Sequence, residues 1–296
     1  MNLIKYRNLF FALSLAIIIP GLIALYLWGL RLGIDFAGGT IWEIKFERQI
    51  ATDQINEFLT KEGIETASVA ATGPDAVLVR MKTADENKIA QVKSKLGESF
   101  GRTQDLRLET VGPVISKELT QKAITAVGIS ILAIVVYVTW AFRKVKKPAS
   151  PFAFGVTTII ALVHDVIVVV GAFAILGHFA RLEVDSLFLT ALLTVLGFSV
   201  HDTIVVFDRI RENLAKYDDF SFEQVVNHSI LQTFARSLNT SLTVVFVLLA
   251  MLLFGGASIK TFVLALLIGV ISGTYSSIFN AAPLLVVWQK IMFRKI

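Results

Sequence analysis

Six long apolar runs separate the polar parts of this chain, and their lengths predict its architecture. A helix needs about 20 mostly apolar residues to cross the hydrocarbon of a bilayer. The runs occupy residues 9–30, 120–142, 152–176, 186–207, 237–255 and 261–289. We therefore expect an α-helical multi-pass membrane protein with six transmembrane helices, the first within residues 1–30 and the other five within 120–296.

The first run has some features of a signal peptide, because Lys5 and Arg7 precede it. It extends from Leu9 to Leu30, however, which is longer than the apolar core of a signal peptide, and no small-x-small cleavage site follows it. We therefore expect this segment to remain in the protein as the first transmembrane helix.

Residues 31–119, between the first two runs, have the pattern of a small α+β domain. Alternating apolar positions predict strands, and apolar positions at helical spacing predict helices. The predicted elements are strand Ile41–Phe46, a helix capped by Thr52 and ending at Lys61, a short strand at Val69, a turn at Gly73, Pro74 and Asp75, strand Ala76–Met81, helix Ala84–Leu96, and strand Asp105–Val111 with Leu106, Leu108 and Thr110 on one face. This order, β-α-β-β-α-β, is that of the ferredoxin-like motif.

Composition supports membrane insertion, and the distribution of charge indicates its orientation. Charged residues make up 17% of the 296 residues, against about 25% in soluble domains. The net charge of +5 arises from basic residues in alternate loops, so no nucleic-acid partner is expected. The basic residues on one side are Lys5, Arg7, Arg143, Lys144, Lys146, Lys147, Arg209, Arg211, Lys216, Arg236, Lys290, Arg294 and Lys295. The positive-inside rule therefore predicts cytoplasmic termini and an extracytoplasmic domain at 31–119.

Residues 208–236 contain a further helical pattern between the fourth and fifth runs. Ser221 and Gln224 have the spacing of a capping box. The apolar residues that follow share one helical face: Val226, Ile230 and Phe234. The pattern predicts either a short helix lying in the cytoplasmic interface or an ordinary connector, and the sequence favours neither.

The sixth run has a small residue at every fourth position. These residues are Ala265, Gly269, Gly273, Ser277 and Ala281. Such a strip allows two helix backbones to approach closely. It predicts a helix-packing seam that includes Gly269 and Gly273, and a surface that slides during a conformational cycle is the alternative.

Ionisable residues inside the runs are candidates for function, because charges in the bilayer core are costly. Asp165 lies near the middle of the third helix, Asp202 lies in the inner half of the fourth, and Arg236 begins the fifth. The inner loop joins helices four and five, so we expect Asp202 and Arg236 to approach each other. A buried carboxylate with a movable guanidinium beside it can load and release a proton. His164 and His201 precede the two aspartates and are candidate proton relays.

Other interpretations of these residues stay open. A buried Asp–Arg pair can be static and fix helix register, and the histidines can be satisfied polar packing. The two His-Asp pairs are too few ligands for a zinc site, which usually needs three or four, and the chain has no further ligand cluster and no cysteine. We therefore expect no metal site and no cofactor. An intramembrane aspartyl protease that uses Asp165 and Asp202 is the enzymatic alternative. Asp208 and Arg209 are expected at a helix end, paired near the headgroups.

Four segments of the chain resemble the SecD/SecF protein-export family. Residues 33–40 resemble the motif that follows the family's first helix, and residues 197–213 resemble its helix-four signature. Residues 161–165 and 236–241 are similar to its third and fifth helices. The chain departs from the family pattern at two positions, Phe198 in place of Tyr and His201 in place of Asn.

The resemblance implies a resistance-nodulation-division-type membrane protein of the bacterial inner membrane, with a SecD chain supplying six further helices. It implies association with the SecYEG channel and use of protons to pull a translocating preprotein outward. In this picture Asp202 carries the proton, Arg236 is its switchable partner and Asp165 is secondary. A proton-driven exporter of small molecules or lipids in the same superfamily is the alternative function.

The motif after the first helix also constrains the backbone. Gly38 and Gly39 permit positive φ angles or a close approach of another backbone. We expect the turn from Asp35 to Thr40 to be a structural join between helix and domain. Nothing in the sequence of residues 31–119 indicates a peptide-binding groove.

Overall fold

The computed structural model describes residues 2–82, 86–145, 149–256 and 259–293. These form two compact units, one being Leu32–Ile124 and the other containing the remaining helices. In chain order the elements are a 3₁₀ turn (Ile4–Tyr6), α1 (Arg7–Trp28), α2 (Ile34–Ala37), β1 (Gly39–Phe46), α3 (Thr52–Lys61), β2 (Thr66–Ala71), β3 (Ala76–Met81), α4 (Glu86–Phe100), β4 (Thr103–Val111), α5 (Pro113–Ala141), α6 (Pro151–Phe179), α7 (Ser186–Lys216), α8 (Phe222–Phe254), α9 (Lys260–Ser276), a π turn (Ser277–Ala281) and α10 (Ala282–Phe293). Five residues named above lie outside the described ranges: Ala84, Lys146, Lys147, Arg294 and Lys295.

Within the described residues, six helical segments are long and apolar enough to cross a membrane. This finding confirms the six predicted spans. Their apolar windows differ in burial: those of α6, α7 and the α9–α10 span are 44%, 50% and 61% buried, whereas that of α5 is 6% buried. The third, fourth and sixth spans therefore form the interior of the unit, and α5 leaves most of its apolar surface uncovered.

The prediction for residues 208–236 is wrong in both of its forms. α7 continues to Lys216, so Asp208 and Arg209 lie inside a helix and pair with Arg211 and Glu212 on its surface. The capping box at Ser221 is present, but it begins α8, which continues without interruption into the fifth span. The apolar residues of these first turns are buried against the helical core: Phe222, Val225, Val226 and Ile230. This core contact extends the helix beyond the apolar run.

The sixth span is interrupted by a π turn between α9 and α10. Pro283 follows two residues after the turn. Proline has no N–H, and its ring clashes with the carbonyl group four residues earlier in a regular helix. A wider turn relieves that clash, so we attribute the π turn to Pro283. Single π turns of this kind are frequent at functional sites.

The small unit is an antiparallel four-stranded sheet packed against α3 and α4. Its strand order is β2-β3-β1-β4, which confirms the predicted ferredoxin-like domain. Alternate residues of β1 and β3 meet apolar residues of the two helices in one core: Trp42, Ile44, Phe46, Ile55, Leu59, Val77, Val79, Met81, Ile89, Val92 and Leu96. The two helices are therefore held on the same face of the sheet.

Two details of this unit differ from the prediction. Thr52 is the first residue of α3, and Ala51 occupies the cap position without a side-chain hydrogen bond. A register shift between Glu43 and Ile44 leaves Leu106 outside the β1–β4 pairing. The regular alternation predicted through Leu106 is therefore interrupted by a bulge.

The turn before β1 depends on its two glycines. Gly38 has a φ of 73° and Gly39 a φ of 125°, so the predicted positive φ angles are confirmed. A Cβ atom on Gly39 would lie 2.8 Å from the carbonyl oxygen of Met81, and one on Gly38 would lie 3.2 Å from Ser116 Oγ. Side chains at either position would strain the backbone and crowd the start of the sheet. The structural role of Asp35 stays a prediction.

Candidate functional site

The buried centre of the helical unit is organised around α9, whose small residues lie against α7. A Cβ atom on Gly269 would lie 2.1 Å from a methyl carbon of Val195, and one on Gly273 would lie 3.0 Å from Cβ of Ser199. The two backbones approach this closely only because both positions lack side chains. The seam brings the polar residues of α7 and α9 within hydrogen-bonding distance.

Replacing Gly269 by alanine should separate α9 from α7, because the added methyl group has no space beside Val195. Overpacking of this kind costs on the order of 1–3 kcal/mol. The thermal midpoint of the purified chain in nanodiscs should therefore fall. Gly197→Ala is the control, because Gly197 lies on the facing helix α7 and no atom of the described residues lies within 4 Å of the added Cβ. Equal midpoints for the two variants would show that the seam is not tightly packed.

Asp165 on α6 is completely buried, with 0% of its surface exposed. Its carboxylate accepts hydrogen bonds from three serine hydroxyls, Ser199 at 2.6 Å, Ser272 at 2.7 Å and Ser276 at 2.7 Å. Ser199 belongs to α7, and the other two serines lie one turn apart on α9. Asp165 therefore ties the three inner helices together through short bonds.

His164 adds a fourth contact to this cluster. Its Nδ1 atom lies 3.0 Å from a carboxylate oxygen of Asp165. Its Nε2 atom is buried without a hydrogen-bond partner in the described chain. The imidazole lies beside the ring of Tyr275, whose hydroxyl donates to the carbonyl of Phe10 on α1. The predicted neighbours His164 and Asp165 are thus brought together, and one ring nitrogen stays available.

Asp202 on α7 is 2% exposed and has a different environment. One carboxylate oxygen accepts long hydrogen bonds from Ser241 of α8 at 3.3 Å and from Thr274 of α9 at 3.4 Å. Both hydroxyls also lie 2.9 Å from carbonyls of their own helices. Hydroxyl hydrogen bonds are normally about 2.7–2.8 Å long. Asp202 is therefore buried at the junction of three helices but held only weakly.

The structure does not bring Asp202 into contact with the basic residues that were expected beside it. Arg236 and His201 are both exposed on the surface of the helical unit. No ion pair joins Asp202 to either residue in the described part of the chain. Arg236 precedes Ser241 by five residues, which places it about 140° around α8 from the side that faces Asp202. The expected approach of Asp202 and Arg236 is therefore absent from this conformation.

The hydroxyl residues around the two carboxylates were missed in the sequence. Ser272 and Ser276 are four residues apart in an apolar run, which is the spacing that places two donors on one helix face. A second missed contact is the buried hydrogen bond between Ser14 of α1 and Asn280 in the π turn, at 3.0 Å. Polar residues that interrupt apolar runs were the available signal for both.

The close crossing of α1 and α6 was also missed. A Cβ atom on Gly171 would lie 2.7 Å from Cα of Gly21, so the two backbones touch at paired glycines. Gly21 follows Pro20 inside α1. A glycine in each of two separate runs gives no pairing information by itself, so no signal in the sequence alone could have found this contact.

The alternatives of metal binding and proteolysis find little geometric support. No group of three or more potential metal-binding side chains occurs among the described residues. Asp165 and Asp202 bond to separate sets of hydroxyls, with no hydrogen bond between the two carboxylates. An aspartyl protease requires two carboxyl groups that share one proton, and this arrangement is not formed.

Comparison with known families gives two matches. The profile described as "Protein export membrane protein SecD/SecF, C-terminal" matches residues 91–291, and the SecD/SecF GG motif matches residues 29–50. The first match includes all five later spans, with both aspartates, and the second includes Gly38 and Gly39. Residues 51–90 of the small domain belong to neither match.

Several curated relatives match over almost their whole length. A protein translocase subunit SecF from Thermobaculum terrenum is 49% identical, with 100% of this chain and 96% of the relative covered. The protein of the same description from Anaerolinea thermophila is 47% identical over 98% of this chain and 94% of the relative. In Bacillus subtilis SecDF, which is 36% identical, the match covers 96% of this chain but 37% of the relative.

Solved structures give the same result. The crystal structure of SecDF from Thermus thermophilus, described as a translocon-associated membrane protein, superposes with a TM-score of 0.84 at 32% identity. The super-membrane-facing form of SecDF superposes with a TM-score of 0.72 at 31% identity. The chain spans 39% of each of those longer chains.

Proposed function

Because the chain belongs to the SecD/SecF family of protein export membrane proteins, we propose that it is the SecF-type subunit of the Sec protein-export machinery. Together with a SecD-type partner it uses the proton gradient to drive or complete movement of a preprotein through the SecYEG channel. The observation that carries this proposal is Asp202, a buried carboxylate at the junction of α7, α8 and α9 with weak hydrogen bonds.

The proposed coupling step is uptake and release of a proton by Asp202. Its long bonds to Ser241 and Thr274 can be given up without large cost, because each hydroxyl has a closer acceptor on its own helix. Loss of the carboxylate charge would loosen α8 and α9 from α7. Movement of one charge through the membrane potential supplies about 2.3 kcal/mol per 100 mV, which is enough to shift such an equilibrium.

An exposed polar face supports the partner part of the proposal. Arg236, Asn239, Thr240 and Thr243 on α8 are exposed, although they belong to a membrane-spanning helix. On α7, the exposed positions Thr190, Thr194, Gly197 and His201 follow one another at helical spacing. Lipid tails cannot satisfy an arginine or a histidine, so this face fits a second transmembrane protein. In the proposed cycle Arg236 pairs with Asp202 in another conformer, and His201 and His164 relay protons.

The remaining site residues have supporting roles in this proposal. Asp165, with its three hydroxyl donors, is secondary in proton coupling. Gly269 and Gly273 let α9 move against α7, and the turn with Asp35, Gly38 and Gly39 joins α1 to the domain. The orientation follows the positive-inside rule, with both termini in the cytoplasm and the ferredoxin-like domain outside the bacterial inner membrane.

Reconstitution tests this function directly. Vesicles containing SecYEG, a SecD-type partner and this chain should complete export of a preprotein faster when a proton gradient is imposed. An ionophore that collapses the gradient should remove the increase, and vesicles without this chain should show none. Export that is equally fast with and without the gradient in the complete system would contradict the proposal, as would failure of the chain to co-purify with the partner.

A further inference from the structure

An open groove of about 550 Å³ crosses the surface of the ferredoxin-like domain. It lies where α3, the end of α4 and the segment after β1 meet. Phe58 and Phe100 form part of its lining and pack edge to face, with ring centroids 5.5 Å apart. Both rings are only partly buried. Aromatic rings of this kind offer apolar contact area to a ligand side chain.

The rim of the groove carries one charge without a partner. Glu57 and Lys61, one turn apart on α3, pair with each other at 2.8 Å. The hydrogen bond from Lys61 and its charge lower the pKa of Glu57 below its usual value, so the charge of the Glu57 carboxylate compensates that of Lys61. Arg48 is exposed and makes no hydrogen bond or ion pair within the described chain. The groove is therefore positively charged at one end.

Polar groups on the rim are also available for bonding. The side-chain amides of Gln49 and Gln54 are exposed and have no hydrogen-bond partner among the described residues. An amide side chain can donate and accept at once, which matches the N–H and C=O groups of an extended peptide backbone. An aromatic floor with unpartnered amides at its edge is suited to a peptide more than to a compact small molecule.

We propose that this groove binds a short extended peptide segment, with an apolar side chain against Phe58 and Phe100 and an acidic side chain beside Arg48. Its lining comes from three parts of the domain, residues 48–50, α3 and the end of α4, so the groove depends on the folded domain and not on one segment. The identity of the segment as part of a translocating preprotein rests on the function proposed above, whereas the recognition chemistry does not.

Peptide binding to the full-length chain in nanodiscs tests this assignment. One fluorescent probe is a short flexible peptide with leucine, phenylalanine and aspartate, and its counterpart carries lysine in place of aspartate. At low salt the wild-type chain should bind the acidic probe about fivefold more tightly, the size expected for an exposed charge pair. Arg48→Glu should reverse this preference, and Gln54→Ala should weaken binding of both probes. Lys117→Glu, an equal charge change at an exposed position outside the groove, should leave the preference unchanged.

Two outcomes would overturn the assignment. One is an unchanged preference for the acidic probe in Arg48→Glu, and the other is no saturable binding of either probe by the wild-type chain. Asp202→Asn, which removes the proposed proton carrier, should bind both probes as the wild-type chain does. Peptide recognition and proton coupling are therefore tested separately, and failure of one does not imply failure of the other.

Discussion

Replacing Asp202 by asparagine should abolish export that depends on the proton gradient while the protein stays folded. Asparagine has nearly the same shape, and its oxygen can still accept from Ser241 and Thr274. It cannot take up or release a proton near neutral pH, so the imposed gradient has no group on which to act. In reconstituted vesicles we expect the gradient-dependent part of export to fall more than tenfold, to the rate seen with an ionophore; tenfold corresponds to about 1.4 kcal/mol.

Asp208→Asn is the control for this experiment. Asp208 lies on the same helix, but it is partly exposed and pairs with Arg211, as an ordinary surface charge does. Its replacement should change export by less than a factor of two, because Asp208 is not the proposed proton carrier and an exposed pair contributes little to stability. Full gradient-dependent export by Asp202→Asn would show that the proton is carried elsewhere. Unfolding of Asp202→Asn, seen as loss of its thermal transition, would show that the carboxylate is structural.

The architecture was largely predictable because it depends on patterns that lie within single segments. Six apolar runs define six spans without knowledge of their partners, and alternation in residues 31–119 defines the strands of the small domain. The positive φ angles at Gly38 and Gly39 are likewise local, since only glycine adopts them readily. The position of Asp202 inside an apolar run was likewise enough to predict that its carboxyl group is buried.

Contacts between segments were predicted less well, because they depend on the rotation of each helix. We expected Arg236 and Asp202 at a similar depth, but the rotation of α8 turns Ser241 toward Asp202 and Arg236 toward the surface. The start of α8 was misjudged for a related reason. Phe222 and Val225 are separated from the apolar run by polar residues, and only their burial in the core shows that the helix is continuous.

The hydrogen bonds of Asp165 are also contacts between segments, and the sequence did not predict them. They lead us to expect a larger role in stability for Asp165 than for Asp202. Both are buried aspartates within apolar helices, and the sequence pattern predicts a candidate role in proton coupling for each. In the structure, three short hydroxyl bonds converge on Asp165 from α7 and α9, whereas Asp202 has two long ones. Short bonds from several helices stabilise an arrangement, and long bonds allow it to change.

Asp165→Ala should therefore destabilise the helical unit far more than Asp202→Asn does. The substitution leaves Ser199 and Ser272 without their acceptor, whereas Ser276 keeps the carbonyl of Gly273 at 3.2 Å, and unsatisfied buried groups cost about 1–3 kcal/mol each. A total loss of about 3 kcal/mol would lower the thermal midpoint in nanodiscs by roughly 10 °C. Thr157→Ala on the same helix is the control. Among the described residues its buried hydroxyl bonds only to carbonyls of α6, so its loss should cost less than about 1 kcal/mol. If Asp165→Ala kept the wild-type midpoint but lost gradient-dependent export, Asp165 would be a proton carrier and not the anchor of the inner helices.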